Sequence, residues 1–309
     1  MVLKTIRVKV FLSILPSFTF NLKRIPLQHI EFFHTDHFEN DYHRVKPLAA
    51  LGGFIDFFWE TKFDGLLQQY PEGFSDVLLP NVGYTYIINL GTPFIMQVEN
   101  KNFEMKTDGF LPRHKAIECY HRPGNCLFGI KFKISPVIFK TKVNFSEYRG
   151  YIYPLSYLLE QPVIDQVKKT KSFAQRVDIL NRHFLSIITT YAGTWEPIRI
   201  VSEILQHCDE QNDFTASIKS LATQYHISPR TLHRYFETTT SFSSKKALQI
   251  MRIRKAVSEL SGSPHGFSYR AYGYYDHSHF CKHLKQFLQK ETLLQLRPHL
   301  QLLERLHKK

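Results

Sequence analysis

Apolar positions along this chain change their period once. Between residues 76 and 134 they fall into short β-rich runs, at 76–80, 84–90, 93–99, 117–120 and 126–134. Turn residues separate them, among them Asn81-Val82-Gly83, Gly91-Thr92 and Arg122-Pro123-Gly124-Asn125. A compact aromatic patch, Phe54, Phe57, Phe58 and Trp59, precedes the first run. In the last run Phe128, Ile130, Phe132 and Ile134 alternate with Leu127, Gly129, Lys131 and Lys133, which predicts one buried face and one partly wet face. Strands this short and this closely spaced suggest a small β-sandwich or an open barrel. Beyond Pro162 the pattern is helical. Phe173, Val177, Leu180, Phe184, Ile187 and Tyr191 form a narrow seam that either pairs with its own copy or lies against the β region; the second is favoured because the seam holds too few heptads for a coiled coil.

The most informative stretch is 218–236. Ile218, Leu221, Ala222 and Tyr225 share one helical face, His226 and Ile227 break the pattern, and Ser228-Pro229 reads as an N-cap and first turn. In the helix that follows, Leu232, Tyr235 and Phe236 are the buried positions, and Arg230 and Arg234 point away from them, flanked by His233 and Glu237. Two short helices, a tight turn and an outward arginine pair suit a helix-turn-helix reaching into a DNA major groove, although they also suit a plain helical hairpin with solvated arginines. Ser243 then caps a longer helix with Ile250, Ile253, Val257 and Leu260 buried and Arg252, Arg254 and Lys255 read as solvated. A last helix, capped by Asp276, buries Phe280, Leu284 and Phe287, and places Ser278 and Lys282 where the first unit has Arg230 and Arg234.

Charge sharpens this picture. The net charge is +13, and residues 215–297 carry 13 Lys/Arg against 4 Asp/Glu, so +9 of it falls on this helical segment. Such density has an electrostatic reason to sit on a polyanion. At 309 residues about two domains are expected. Cys119, Cys126, Cys208 and Cys281 form no C-x-x-C and no disulfide framework, which suits a reducing cytoplasm. Lys4, Arg7 and Lys9 precede an apolar run over 10–20, but Pro16 interrupts it and Asn21-Leu22-Lys23-Arg24 follows where a cleavage site belongs; the run is too short to span a bilayer, so an extension is expected and not a signal or a membrane anchor.

Metal readings were weighed against these. His277, His279, Cys281 and His283 crowd one helix, yet structural zinc needs four convergent ligands and the side faces flank the core stripe. His114, Glu118 and His121 invite a cupin-type metal site without the H-x-H pair, and strand alternation does not converge them. No nucleophile elbow, phosphate-binding glycine loop or H-E-x-x-H is present, so no enzyme and no cofactor are expected. An RNA or membrane-surface binder would use the same charge, but helices read B-form major grooves, which A-form RNA hides.

Three strings, in order, carry a resemblance: A-x-x-x-x-I-S-x-x-x-L-x-R-x-F from Ala222 to Phe236, Arg252-Ile253-x-x-Ala256, and Gly273-Tyr274-Tyr275-Asp276-x-Ser278-His279-Phe280. Together they resemble the DNA-binding domain of the AraC/XylS family over 197–297. The resemblance implies an all-helical domain with two helix-turn-helix units joined by a long helix, and sequence-specific transcription regulation, with activation as the mode. It implies base reading by Arg230, His233 and Arg234 in the first unit and by His277, Ser278, Cys281 and Lys282 in the second. Ser228, Thr231, Lys245, Lys246 and Lys285 are the expected contacts to the DNA backbone. The second unit departs from the family pattern. Gly266-Phe267-Ser268-Tyr269-Arg270 is short and aromatic where an isoleucine-alanine pair is usual, Leu284 replaces a phenylalanine, and 289–292 lacks the closing glycine and proline. Phe57-Phe58-Trp59-Glu60, Asp76 to Pro80 and Phe128 to Phe132 resemble an uncharacterised β domain found ahead of such regulators, by architecture a cupin-like half that binds an effector or dimerises.

The expected fold is therefore α+β and multidomain: an extension over 1–45, a β-rich sensor or dimerisation domain (cupin-like, or a small sandwich or barrel) over 46–160, a helical connector over 161–196, the DNA-binding domain over 197–297 and a tail helix over 298–309. The expected partners are double-stranded DNA, RNA polymerase, a small-molecule effector and a second copy of the chain, in the cytoplasm and without a membrane. The alternative is a cupin-like small-molecule or metal-binding protein or enzyme with a basic helical accessory domain.

Overall fold

The computed structural model describes residues 41–99, 101–139 and 151–288, with 296 and 301. Strand β1 (Tyr42–Val45) pairs antiparallel with β2 (Ile55–Lys62). These four residues fall within the expected extension over 1–45, yet they pair with β2, and Tyr42 stacks on Trp59 with ring centroids 5.5 Å apart. The rest of the expected extension, and the tail helix apart from residue 301, lie outside the described residues. A short helix α1 (Asp64–Gln69) leads to β3 (Phe74–Leu78), β4 (Tyr84–Asn89), β5 (Phe94–Val98), β6 (Lys101–Met105), β7 (Gly109–Pro112), β8 (Ile117–His121), β9 (Cys126–Phe132) and β10 (Tyr153–Pro154). They make two antiparallel sheets, in the orders β1-β2-β9-β4-β7-β10 and β3-β8-β5-β6.

The sheets face each other as a sandwich. Phe57, Trp59, Ile87, Leu111 and Leu127 of the six-stranded sheet meet Phe94, Met96, Val98, Ile117 and Cys119 of the four-stranded one. Trp59 fits because β9 carries Gly129 beneath it; a Cβ there would lie 2.3 Å from the indole. The other face of the larger sheet is also covered. Helices α2 (Gln161–Lys169) and α3 (Phe173–Thr190) lay Ile164, Val167, Val177, Leu180 and Phe184 on Phe58, Tyr86, Phe128, Ile130 and Phe132. The apolar seam thus packs internally, and Phe184 meets Phe54 and Phe132 edge-on at 6.0 and 5.6 Å. Covering both faces explains why every residue of β4 is buried; on β9 Lys131, with Lys133 just beyond it, keeps partial exposure, in line with the expected partly wet face. Lys131 and Lys133 are driven well below, and below, the usual lysine range by burial. Lys131 Nζ donates to Gly83 O at 3.3 Å and Lys133 Nζ to Gly52 O at 2.8 Å.

Beyond Trp195 the chain is helical: α4 (Glu196–Gln211), α5 (Ile218–Gln224), α6 (Pro229–Thr240), α7 (Ser244–Gly262) and α8 (His277–Phe287). Their shared core also takes Leu79 and Val82 from the loop between β3 and β4. The two halves therefore share apolar residues. Polar groups join them further. Arg254 of α7 is 2% exposed and its Nη1 donates to Leu79 O (3.2 Å) and Pro80 O (2.8 Å). This corrects the reading of Arg252, Arg254 and Lys255 as solvated: Arg252 and Lys255 are half-buried, and Lys255 Nζ meets Asp209 Oδ1 at 3.4 Å. Among the described residues no helix is long and apolar enough to cross a membrane.

The connector helices are tied to the sheet by a buried ion pair, Arg176 of α3 with Glu60 of β2, both side chains about 10% exposed. Losing one partner strands the other charge in the interior. Glu60→Gln is expected to lower unfolding stability by about 3 kcal/mol, whereas Glu60→Leu with Arg176→Met should be near neutral. Urea denaturation of the three proteins measures both.

Candidate nucleic-acid interface

The first unit is built by local chemistry. Ser217 caps α5, its Oγ accepting Ser220 N–H at 3.0 Å. The chain then turns through His226 at φ +54°, a left-handed conformation that glycine or asparagine usually occupies, and Ile227 N–H closes the turn on Ala222 O at 3.1 Å. Ser228 caps α6, with Thr231 N–H donating to its Oγ at 3.0 Å and the two hydroxyls 2.9 Å apart, and Pro229 takes the first helical position. The hydroxyls of Ser228 and Thr231, expected on the DNA backbone, thus already serve the helix start. Leu232, Tyr235 and Phe236 are buried, and Arg230, His233 and Arg234 are exposed together on the opposite side. His233 Nε2 lies 3.4 Å from Glu237 Oε1. Tyr235 O–H donates to Glu196 Oε2 at 2.7 Å, which fastens α6 to the start of α4.

The β-rich half holds the far end of this helix. Ser135 N–H donates to Thr239 O at 2.5 Å, Tyr84 and Ser241 hydroxyls share a hydrogen bond of 2.6 Å, and His114 packs on Phe242 with centroids 4.1 Å apart. These contacts lie at the C-terminal end of α6, so its N-terminal half stays open. Ser243 caps α7 through Lys246 N–H at 3.3 Å, and Lys245 and Lys246 are exposed on its first turn. With 19 residues α7 is a rod of about 28 Å.

The second unit begins with a single 3-10 turn, Tyr269–Tyr272, in place of a full helix. Its aromatic residues do the packing: Tyr269 stacks on Phe280 at 6.5 Å and Phe267 on Tyr272 at 5.9 Å. Gly273 reverses the chain at φ +72°, where a Cβ would also strike Thr215 at 2.4 Å. Asp276 Oδ1 accepts His279 N–H at 2.6 Å and starts α8. Phe280, Leu284 and Phe287 are buried. Ser278, Cys281, Lys282 and Lys285 line one shallow depression with Gln286. Cys281 Sγ lies 3.4 Å from His277 Nε2.

The histidines of α8 do not converge. His283 Nδ1 and the Tyr274 hydroxyl share a hydrogen bond of 2.7 Å, and His279 meets the same ring edge-on at 5.4 Å. His277 sits with Cys281 on another side of the helix. In the β half, His121 hydrogen-bonds Asn125 Oδ1 (2.7 Å) among Phe63, Phe74 and Phe94, far from His114 at the Phe242 contact. Among the described residues no group of three His, Cys, Asp or Glu is arranged to hold a metal.

Sequence reasoning missed the clamp that orients α8. Arg252 lies over the Tyr274 ring, 3.6 Å from its centroid, and donates from Nη2 to Gly273 O at 2.9 Å. The spacing of Arg252 to Tyr274 follows no local period, so only the fold reveals the pair. Tyr275 was likewise passed over. It is 87% exposed, directly before the cap of α8.

No protein-family model matches the chain, and no curated protein matches it. Several solved structures share part of its outline. ToxT from Vibrio cholerae has 9% identity and a TM-score of 0.41, the match covering 83% of this chain and 98% of that one. ToxT bound to (E)-4-(8-methylnaphthalen-1-yl)but-3-enoic acid has 9% identity and a TM-score of 0.41 over 83% and 99%. Unsaturated fatty acid-bound ToxT has 9% identity and a TM-score of 0.38 over 70% and 88%. Likeness at this level fixes neither the family of this chain nor a ligand.

The clamp makes one pH prediction. Burial, then Arg252, Lys246 and His279, lower His283 to about 4, so it shares its hydrogen bond with Tyr274 as a neutral ring. The unfolded ring titrates near 6.5. A lowered histidine pKa means the unfolded chain binds the proton first, so this contribution is complete above about 6.5 and is lost as pH falls towards 4. NMR titration should place the His283 midpoint near 4, and His283→Gln should flatten the fall in thermal stability between pH 6.5 and 4.

Proposed function

We propose that this chain is a sequence-specific DNA-binding transcription regulator of the AraC/XylS type. The observation that carries the reading is the exposed row of Arg230, His233 and Arg234 on a capped helix whose other end alone is covered. In this reading α6 enters the major groove with its N-terminal turns, as recognition helices do. An arginine can bond guanine O6 and N7 together, which discriminates by about 1–3 kcal/mol. The second unit, with Ser278 and Lys282 outward and His277 and Cys281 half-buried, reads less and grips more, since serine and thiol groups discriminate poorly. The rod between the units is compatible with two contacts about one DNA turn apart, roughly 34 Å. Lys245, Lys246 and Lys285 serve the phosphates, and their share of the affinity is salt-dependent.

The β-rich half senses an effector or pairs with a second copy of the chain, and the natural partners are double-stranded DNA and RNA polymerase in the cytoplasm. Its grip on the Thr239–Phe242 end of the first unit gives it a direct mechanical hold on the reader. None of this chemistry calls for a catalytic centre.

Selection of random duplex DNA by the purified full chain, near physiological ionic strength, tests the reading. A strong block for the first unit, with a weaker preference about ten base pairs away, is expected; no enrichment at any salt would sink the proposal. Arg234→Ala should relax the preference at one position within the first block, and Lys245→Ala should weaken all sequences alike and reduce the salt slope by about 0.9.

A further inference from the structure

Tyr275 is by far the most exposed large side chain with apolar character among the described residues, at 87% against 59% for Tyr157, the next. A single exposed tyrosine needs no explanation by itself. Its setting is what points further. On its N-terminal side Gly273 is locked in a left-handed turn and Tyr274 is 2% exposed, held by Phe280, His283 and Arg252. On its C-terminal side Asp276 is fixed by its cap to His279. The backbone of Tyr275 is therefore pinned at both neighbours while its ring projects into solvent. Buried contacts thus fix Tyr274, while its successor is left 87% exposed.

The surroundings are cationic. Arg270 is exposed on the 3-10 turn whose carbonyl closes on Gly273 N–H, and no ion pair of its side chain is found among the described residues. Lys282 and Lys285 are exposed on α8 itself. An exposed phenol between Arg270, five residues before it, and the exposed Lys282 and Lys285 of the helix that follows suits a sugar-phosphate strand: the hydroxyl donates to a phosphate oxygen and the ring packs along the deoxyribose, without reading sequence.

We infer that Tyr275 and Arg270 form a backbone grip ahead of α8, through which the second unit holds DNA that it reads only weakly. This rests on the DNA-binding reading and extends it to two residues outside both helices of that reading. It accounts for a second unit whose outward side chains discriminate little and whose first helix has shrunk to one turn: the aromatic turn that replaces the helix is also what presents the grip.

The test uses the full chain and a duplex of about 30 base pairs of arbitrary sequence, titrated across salt concentrations. Tyr275→Ala is expected to weaken binding at least about tenfold at every salt, the worth of one hydrogen bond to a charged phosphate oxygen, with the salt slope unchanged because no cation is removed. Tyr275→Phe should lose nearly as much if the hydroxyl carries the contact. Arg270→Ala should lower the slope by about 0.9. Since both side chains are exposed, melting temperatures should match the wild type and exclude misfolding as the cause. Should Tyr275→Ala and Arg270→Ala bind as wild type while Lys245→Ala is weakened, the grip is wrong and the DNA-binding reading stands. Should the wild-type chain itself fail to bind the duplex at low salt, both fall together.

Discussion

Two buried guanidinium groups, from opposite halves of the molecule, meet on one backbone carbonyl. Arg113, after β7, donates from Nη2 to Leu79 O at 2.5 Å, and Arg254 of the long helix donates to the same oxygen at 3.2 Å. Burial lowers Arg113 to about 10, and burial together with the Arg113 charge lowers Arg254 to about 9. Both stay charged at neutral pH, so the interior must carry two cations close together. Hydrogen bonds to the Leu79 and Pro80 carbonyls offset part of that desolvation cost, and they define where the 79–82 loop enters the helical core. This is one of the points at which the sandwich and the helices are joined.

The long helix is the hub. Arg252 and Arg254 are two positions apart, so about 200° separates them around the axis. Arg254 faces the β-rich half, and Arg252 faces the second unit, where it orders Gly273 and Tyr274. A shift of this rod would therefore be felt by the sandwich and by α8 together. The first unit is coupled by a different route, through Thr239, Ser241 and Phe242 at the end of its outward helix. The two units consequently answer to the β-rich half through separate contacts, which gives a physical basis for changing one without the other.

Much of the fold was legible in the chain. The strands at 84–89, 94–98 and 126–132 follow from β-rich runs bounded by turn chemistry, with alternation in the last, and the starts of α6, α7 and α8 follow from Ser228, Ser243 and Asp276. Other strands were hidden. β2 read as an aromatic patch because Phe57, Phe58 and Trp59 show no alternation; β2 is covered on both faces, which erases the polar half of the pattern. β6, Lys101–Met105, is a charged edge strand whose pairing with β5 no periodicity announces.

By itself the sequence determined the local devices: helix caps, the broken face at His226, the outward arginine pair of α6 and the buried stripe of α8. These depend on residues a few positions apart, and their energetics are settled within a turn or two of helix. Only the tertiary structure decided the fate of groups whose partners lie far along the chain. Arg254 looked as solvated as any outward arginine until a second half of the molecule covered it, Lys131 found the Gly83 carbonyl, and His283 was taken up by Tyr274. The physical reason is common to all three. Periodicity states which face of an element is apolar, but whether a charge on the other face meets water or a carbonyl depends on what packs there.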